Sequence, residues 1–142
     1  MTRRTVMGGV GLLGAAALTG CSVSDLTTRK TIDPEAPDRA RLTQARDLSL
    51  QLHAAWSAIS DAHAIKFIEL HTQQIDEFER SGGLRTATLR PTPDPVATAK
   101  TLIDRERQLA TTFRSLALQS QGGDVAALLA SAAAGIDQAL AT

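Results

Sequence analysis

The side chains that could bind a metal or act on a substrate are few in this chain. There are three histidines, at positions 53, 63 and 71, and one cysteine, Cys21. A dinuclear metal site inside a helical bundle needs carboxylates on two helices and Glu-x-x-His on two others, because that spacing puts both ligands on one helix face. No glutamate in the sequence has a histidine three residues after it. We therefore expect no dinuclear site and no bound metal.

Other catalytic and cofactor-binding patterns are missing too. The sequence has no phosphate-binding loop and no nucleophile elbow. Its glycine pairs, Gly82-Gly83 and Gly122-Gly123, follow long segments with helical periodicity, which is typical of helix ends. Fifteen basic and fifteen acidic residues give a formal charge of zero, so no net field favours nucleic acid. The missing catalytic and ligand patterns favour a binding protein over an enzyme, and we expect no cofactor and no nucleic-acid partner.

The first 21 residues have the pattern of an export signal. Arg3 and Arg4 precede an uncharged stretch rich in Gly, Ala, Val and Leu, which ends at Cys21. Its apolar part, about residues 6–18, is shorter than the roughly 18–20 residues of a spanning helix. The residues Leu18-Thr19-Gly20-Cys21 resemble the lipobox of bacterial lipoproteins. That resemblance implies cleavage after residue 20, a diacylglyceryl group on the Cys21 thiol, and anchoring on the extracytoplasmic face of the cell membrane.

The export route stays open between two alternatives. The paired arginines Arg3 and Arg4 resemble a twin-arginine signal, which exports folded proteins. Val6, Met7 and Gly8, however, depart from the usual continuation of that signal. The general secretory route is the alternative.

Prolines and glycines divide the rest of the chain into a tether and four helical segments. Residues 21–37 are predicted to form the lipidated cysteine and an extended polar tether, and residues 38–142 the domain. Mainly apolar residues at three- and four-residue spacing predict helices over about 38–57, 60–82 and 92–119, and from 124 onward. The residues of the four predicted buried stripes, in chain order, are Leu42, Ala45, Ser49, Leu52, Trp56 and Ile59; Ala64, Ile68, His71, Ile75 and Phe78; Ala99, Leu102, Glu106, Leu109, Phe113 and Leu116; and Val125, Leu129, Ala132, Ile136 and Ala139. The expected fold is an all-α four-helix bundle.

The lengths of the connections predict how the helices are joined. The first and last connections are short, so helices one and two, and helices three and four, should form antiparallel hairpins. The middle connection, about 81–94, is long enough to run the length of a helix of about 30 Å. It would then place helix three beside helix two and parallel to it; a loose local turn is the alternative.

The chain from Asp38 onward is similar to the ferritin-like domains of small exported proteins of high-GC Gram-positive bacteria. The likeness lies in the run His71-Thr72-Gln73-Gln74-Ile75, the Gly82-Gly83 stop, the proline-rich crossover and the run Ser131-Ala132-Ala133-Ala134. It implies a bundle with one long crossover between helices two and three. It implies no particular activity.

Two polar residues occupy positions where the periodicity expects apolar ones. His71 lies on the stripe of helix two and Glu106 on that of helix three, each about halfway along its helix. A buried polar group without a partner costs about 1–3 kcal/mol, so we expect the two to face the interior and interact, directly or through water. A structural contact is the favoured role of the pair. The alternative is a mononuclear metal site, the remnant of a ferritin-like centre, in which Asp137 joins His71 and Glu106. His53 and His63 lie off the stripes and are predicted to be exposed.

Two functions fit these observations. The first is a non-catalytic envelope lipoprotein that binds an envelope protein, a lipid or a small apolar ligand. The second is a degenerate ferritin-like protein that binds a metal or takes part in redox chemistry. The missing ligand patterns favour the first.

Overall fold

The computed structural model describes residues 34–85 and 97–142, and the fold is stated for these residues. They form four α-helices and no strand: α1 (Ala36–Ser57), α2 (Ala64–Gly82), α3 (Ala99–Gln119) and α4 (Gly123–Ala141). The predicted all-α four-helix bundle is confirmed. The export signal, the lipobox and most of the tether lie outside the described residues, as do positions 86–96 of the crossover.

Contacts between the helices establish their directions. Ser49 on α1 meets Gln74 on α2, and Leu42 lies against Gly82, so α1 and α2 are antiparallel. α1 is antiparallel to α3 as well, because its start contacts the residues just after α3 and its end contacts the first half of α3. α2 and α3 are therefore parallel, as predicted. α2 ends and α3 begins at opposite ends of the bundle.

The position of α3 differs from the prediction. α1 packs along α2 and α3 packs along α4, while α1 also contacts α3 and α2 contacts α4. α2 and α3 therefore lie diagonally across the bundle instead of side by side. This arrangement makes every neighbouring pair of helices antiparallel, and it points side chains of α2 and α3 at each other across the centre.

The core is built mainly from the predicted apolar stripes. The stripe residues of α1 and α3 are buried, apart from Ile59 and Ala99, which are partly buried at the edge of the core. On α2 the predicted stripe is wrong in part, because Ile68 and Ile75 are only partly buried and Phe67 and Gln74 are buried instead. The Phe67 ring stacks on Trp56 with centroids 4.7 Å apart. On α4 the buried alanine is Ala133 and not Ala132. The Phe67 ring is larger than the side chain of Ile68, so burying it removes more apolar surface from water. This explains why α2 is rotated relative to the predicted stripe.

Two helices begin later than predicted. Asp61 accepts hydrogen bonds from the backbone N–H of His63, at 2.8 Å, and from its ring, so it shapes a turn instead of capping a helix, and α2 begins at Ala64. α3 begins at Ala99, where the Thr98 hydroxyl accepts the N–H of Thr101 in a capping box. The start of α2 moves by about four residues and the start of α3 by about seven. His71 and Glu106 therefore each lie seven residues after a helix start, at the same height.

The first helix begins before the predicted domain boundary. α1 starts at Ala36 with a proline in its first turn, and Pro34 is buried beside it. The side chain of Arg39 donates to the Pro34 carbonyl at 3.3 Å. The packed part of the chain thus includes residues that the sequence assigned to the tether.

Asp38 joins the start of α1 to the start of α4. Its carboxylate accepts the backbone N–H groups of Gly122 at 2.7 Å and Gln121 at 3.1 Å, and it pairs with Arg41 at 2.8 Å. Burial alone raises the pKa of Asp38, but the N–H groups of Gly122 and Gln121, together with Arg41, outweigh it and hold the pKa below its ordinary value. The carboxylate caps the N-terminus of a helix other than its own.

We expect Asp38→Asn to lower the free energy of unfolding by about 1–2 kcal/mol at pH 7. Because the folded-state pKa is depressed, this stabilisation is present above the unfolded pKa of about 3.9 and is lost as the pH falls through the folded pKa. Urea unfolding from pH 7 to pH 3 measures it, with the exposed Asp104→Asn as a matched control. A gap between wild type and Asp38→Asn that stays constant over this range would contradict the prediction.

Helix α4 is the one helix of the described residues that is long and apolar enough to cross a membrane, judged by length and composition. Its inner face supplies Val125, Leu129, Ala133 and Ile136 to the core. Much of its outer face is alanine. Both faces contribute to its apolar character.

Candidate functional site

A buried group of polar side chains lies at the centre of the bundle, and we call it the polar cluster. It consists of Ser49 and Trp56 on α1, His71 and Gln74 on α2, and Glu106 on α3. His71, Glu106, Ser49 and Trp56 are fully buried, and Gln74 is 7% exposed. Buried polar groups in proteins are almost always hydrogen-bonded, so each contact in the cluster affects stability.

His71 and Glu106 lie in direct contact. Nε2 of the imidazole is 2.8 Å from Oε1 of the carboxyl group, and Trp56 Nε1 donates to the same oxygen at 2.7 Å. Because α2 and α3 are diagonal, this contact crosses the centre of the bundle. The structure brings the two predicted side chains together in the interior.

The other imidazole nitrogen is held by Gln74. The Gln74 amide nitrogen donates to the carbonyl of Ala132 on α4 at 3.0 Å. Its Oε1 therefore faces Ser49, at 3.3 Å, and Nδ1 of His71, at 3.1 Å. An amide oxygen can only accept, so Nδ1 carries a proton and donates. The cluster thus links all four helices, with α4 contributing a backbone carbonyl.

The 2.8 Å contact between Nε2 of His71 and Oε1 of Glu106 requires one proton between the two atoms, because two acceptors would repel each other at this distance. With the proton on Nε2, an imidazolium donates to a carboxylate; with the proton on Oε1, a carboxylic acid donates to a neutral imidazole. Both arrangements keep the pair neutral overall and keep Nδ1 as a donor. Removing either residue leaves the other without its partner.

One oxygen of the cluster has no hydrogen-bond partner. Glu106 Oε2 is buried and accepts nothing from the described residues. A bound water would satisfy it, since buried waters commonly pair such groups. It is the one unsatisfied buried side-chain atom of the described part of the chain.

The remaining predicted candidates lie apart from this centre. Asp137 is exposed and forms an ion pair with Arg114, which rules it out as a ligand beside His71 and makes the proposed three-residue remnant wrong. His63 is exposed, as predicted, and pairs with Asp61. Among the described residues no three His, Cys, Asp or Glu side chains lie close enough to hold a metal ion.

His53 was predicted to be exposed and is half-buried. Burial lowers its pKa, and the nearby His71 imidazole lowers it further. It lies on α1, near the polar cluster but outside its hydrogen bonds.

Sequence reasoning found part of the cluster. Ser49 and Trp56 were placed on the buried stripe of α1, but their hydrogen bonds to α2 and α3 were not foreseen. Gln74 was missed. Its spacing of three residues from His71, which puts both on one helix face, is the signal that could have identified it.

No protein-family model, no curated protein and no solved structure matches this chain.

Proposed function

We propose that this protein is a cell-envelope lipoprotein, anchored through Cys21 on the extracytoplasmic face of the membrane, whose helical bundle is a non-catalytic binding module. The observation that carries the proposal is the run Leu18-Thr19-Gly20-Cys21 behind a basic and then apolar segment. A thiol at this position is the substrate of diacylglyceryl transfer in lipoproteins. Two or more acyl chains give stable anchoring, at about 0.8 kcal/mol for each buried CH₂.

The position of the first helix is consistent with a bundle held away from the membrane surface, where it can bind partners. The packed chain begins at Pro34, so residues 22–33 separate the lipidated cysteine from the bundle. A segment of this length reaches at most about 40–43 Å when extended. The bundle can therefore stand clear of the membrane and meet partners in the envelope.

The polar cluster supports a structural role and not catalysis. Both ring nitrogens of His71 are engaged, one by Gln74 and one by Glu106. Neither side chain of this pair is exposed, so a substrate has no direct access to them. The pair fixes how the diagonal helices meet.

One observation favours the second function, a degenerate metal-binding or redox bundle. Glu106 Oε2 is unsatisfied and lies on the same side chain that contacts His71. A metal bound there would have two protein ligands among the described residues, which is fewer than the three or four of ordinary zinc sites. Metal analysis of the purified protein separates the two functions, since a stoichiometric transition metal would favour the second.

The anchoring proposal is tested by Cys21→Ser in the native host. We expect the wild-type protein to partition into detergent with its N-terminus processed and acylated, as mass spectrometry would show. Without the thiol no lipid can be attached, so Cys21→Ser should accumulate as an unacylated precursor that retains residues 1–20. Ser22→Ala is the matched control and should behave like wild type. If Cys21→Ser were processed and acylated like wild type, the proposal would be wrong.

A further inference from the structure

A groove of about 340 Å³ lies between α2 and α4. This volume is at the lower end of the range of about 300–1,000 Å³ for small-molecule sites in proteins. α4 contributes small residues to the groove, among them Ala132 and Gly135, and a Cβ atom at Gly135 would lie 3.4 Å from Cδ1 of Leu70. The groove exists because the α4 side chains along this part of the contact with α2 are too small to fill it.

The groove has an apolar floor and a polar rim. Leu70, Phe78 and Leu128 are buried or partly buried and form the floor. A floor that shields apolar surface from water, below a few polar groups that fix orientation, is the usual arrangement of a small-ligand site. The polar side chains of the rim are exposed; they are Gln73, Asp76 and Arg80 on α2 and Ser131 on α4.

The rim carries two opposite charges one helical turn apart. Asp76 and Arg80 are separated by four residues, which is about 6 Å along α2. Asp76 has no hydrogen bond or ion pair within the described part of the chain, and Arg80 donates to Glu77 at 3.3 Å.

The ion pair between Arg80 and Glu77 leaves the guanidinium group open to a second carboxylate. The Arg80 side chain is 53% exposed, and exposed pairs of this kind contribute little to stability. Glu77 also accepts the hydroxyl of Ser81, so it keeps a partner if Arg80 turns away. A guanidinium group has five N–H donors, and only one of them is used by Glu77.

We propose that the α2–α4 groove binds a zwitterionic α-amino acid with an apolar side chain. The ammonium and carboxylate groups of such a molecule are joined to one carbon, so they can meet Asp76 and Arg80 together. Its side chain then lies on the floor, where Leu70 and Leu128 shield it from water. Opposite charges on the rim select a zwitterion over a simple cation or anion. The inference rests on the proposed function of the bundle as a binding module, and it does not depend on the lipid anchor.

NMR titration of the full chain with L-phenylalanine tests the proposed site. We expect saturable shifts of the backbone amides of Gln73 and Ser131, which lie on opposite sides of the groove. Phenethylamine lacks the carboxylate and 3-phenylpropanoate lacks the ammonium group, so each should bind at least fivefold more weakly than phenylalanine. Absence of phenylalanine binding, or equal binding of either analogue, would overturn the proposal.

Substitutions on the rim show whether the two charges hold the ligand. Asp76→Asn and Arg80→Gln should each weaken phenylalanine binding at least fivefold. Glu69→Gln and Arg107→Gln are the matched controls, because both residues are exposed and lie outside the groove; they should change binding by less than twofold. Equal effects of the rim and control substitutions would contradict the assignment.

Filling the groove provides a test that leaves both charges in place. Ser131→Leu should abolish phenylalanine binding, whereas Ala134→Leu, at an exposed position of α4 outside the groove, should preserve it. The same spectra show that each variant folds. Full binding by Ser131→Leu would mean that the ligand lies elsewhere. Failure of these experiments would overturn the ligand class alone, since the anchoring proposal is decided by the processing of Cys21→Ser.

Discussion

Replacing either His71 or Glu106 by alanine is expected to lower the free energy of unfolding by about 3–5 kcal/mol. Each substitution leaves its partner buried without the group that shares its proton. Glu106→Ala also removes the acceptor of the Trp56 N–H, which is fully buried. These losses far exceed the effect of an exposed ion pair, which contributes about 0–1 kcal/mol.

The double substitution should cost clearly less than the sum of the two single ones. Once either residue is absent, removing the other leaves no further unpaired charge at the contact. We expect a coupling energy of about 1–3 kcal/mol from urea unfolding of the four proteins of the cycle. His71→Ala combined with Val125→Ala serves as the control cycle, because Val125 lies near the start of α4, far from the polar cluster. Additive losses for His71 and Glu106 would show that their 2.8 Å contact contributes no stabilisation of its own.

The bundle was largely predictable because its helices depend on local patterns. Residues such as Leu42, Leu52 and Leu109 recur at helical spacing, and this spacing requires a buried face whatever packs against it. The parallel course of α2 and α3 followed from the reach of the connecting chain. Their diagonal placement did not, because it depends on which faces of four helices fit together.

The contact between His71 and Glu106 was predictable for a different reason. Each is a polar residue on an otherwise apolar stripe, and burial of an unpaired polar group is costly. The partners of the pair were less accessible from sequence. The Gln74 amide bridges His71 to a backbone carbonyl of α4, and nothing in a single sequence identifies which carbonyl an amide will meet.

Asp38 illustrates the same limit at the end of the bundle. Its carboxylate accepts the backbone N–H groups of Gln121 and Gly122, more than 80 residues away in the chain. The sequence rule for capping places the acceptor next to the helix that it caps. A cap supplied by another helix is visible only after the helices are assembled.

Glu106→Gln should destabilise the bundle by about 1–3 kcal/mol although it barely changes the shape of the side chain. A glutamine cannot share a proton with His71. If neutral His71 keeps its proton on Nδ1 for Gln74, then Nε2 can only accept, and the glutamine must turn its NH₂ group towards it. That rotation points the NH₂ group at the Trp56 N–H, so two donors face each other.

The other tautomer fails at the opposite nitrogen. With the proton on Nε2, the glutamine oxygen can accept from both Trp56 and His71, but Nδ1 then faces Gln74 Oε1 as a second acceptor. One hydrogen bond is therefore lost in either case. Urea unfolding at pH 7 measures the loss, and ¹⁵N chemical shifts of His71 report which nitrogen carries the proton. Gln108→Glu, the reverse exchange at an exposed site on α3, is the control and should change stability by less than about 0.5 kcal/mol. If Glu106→Gln were as stable as wild type, the shared proton would not be what holds this pair, and the neutral hydrogen bonds of Gln74 and Trp56 would suffice.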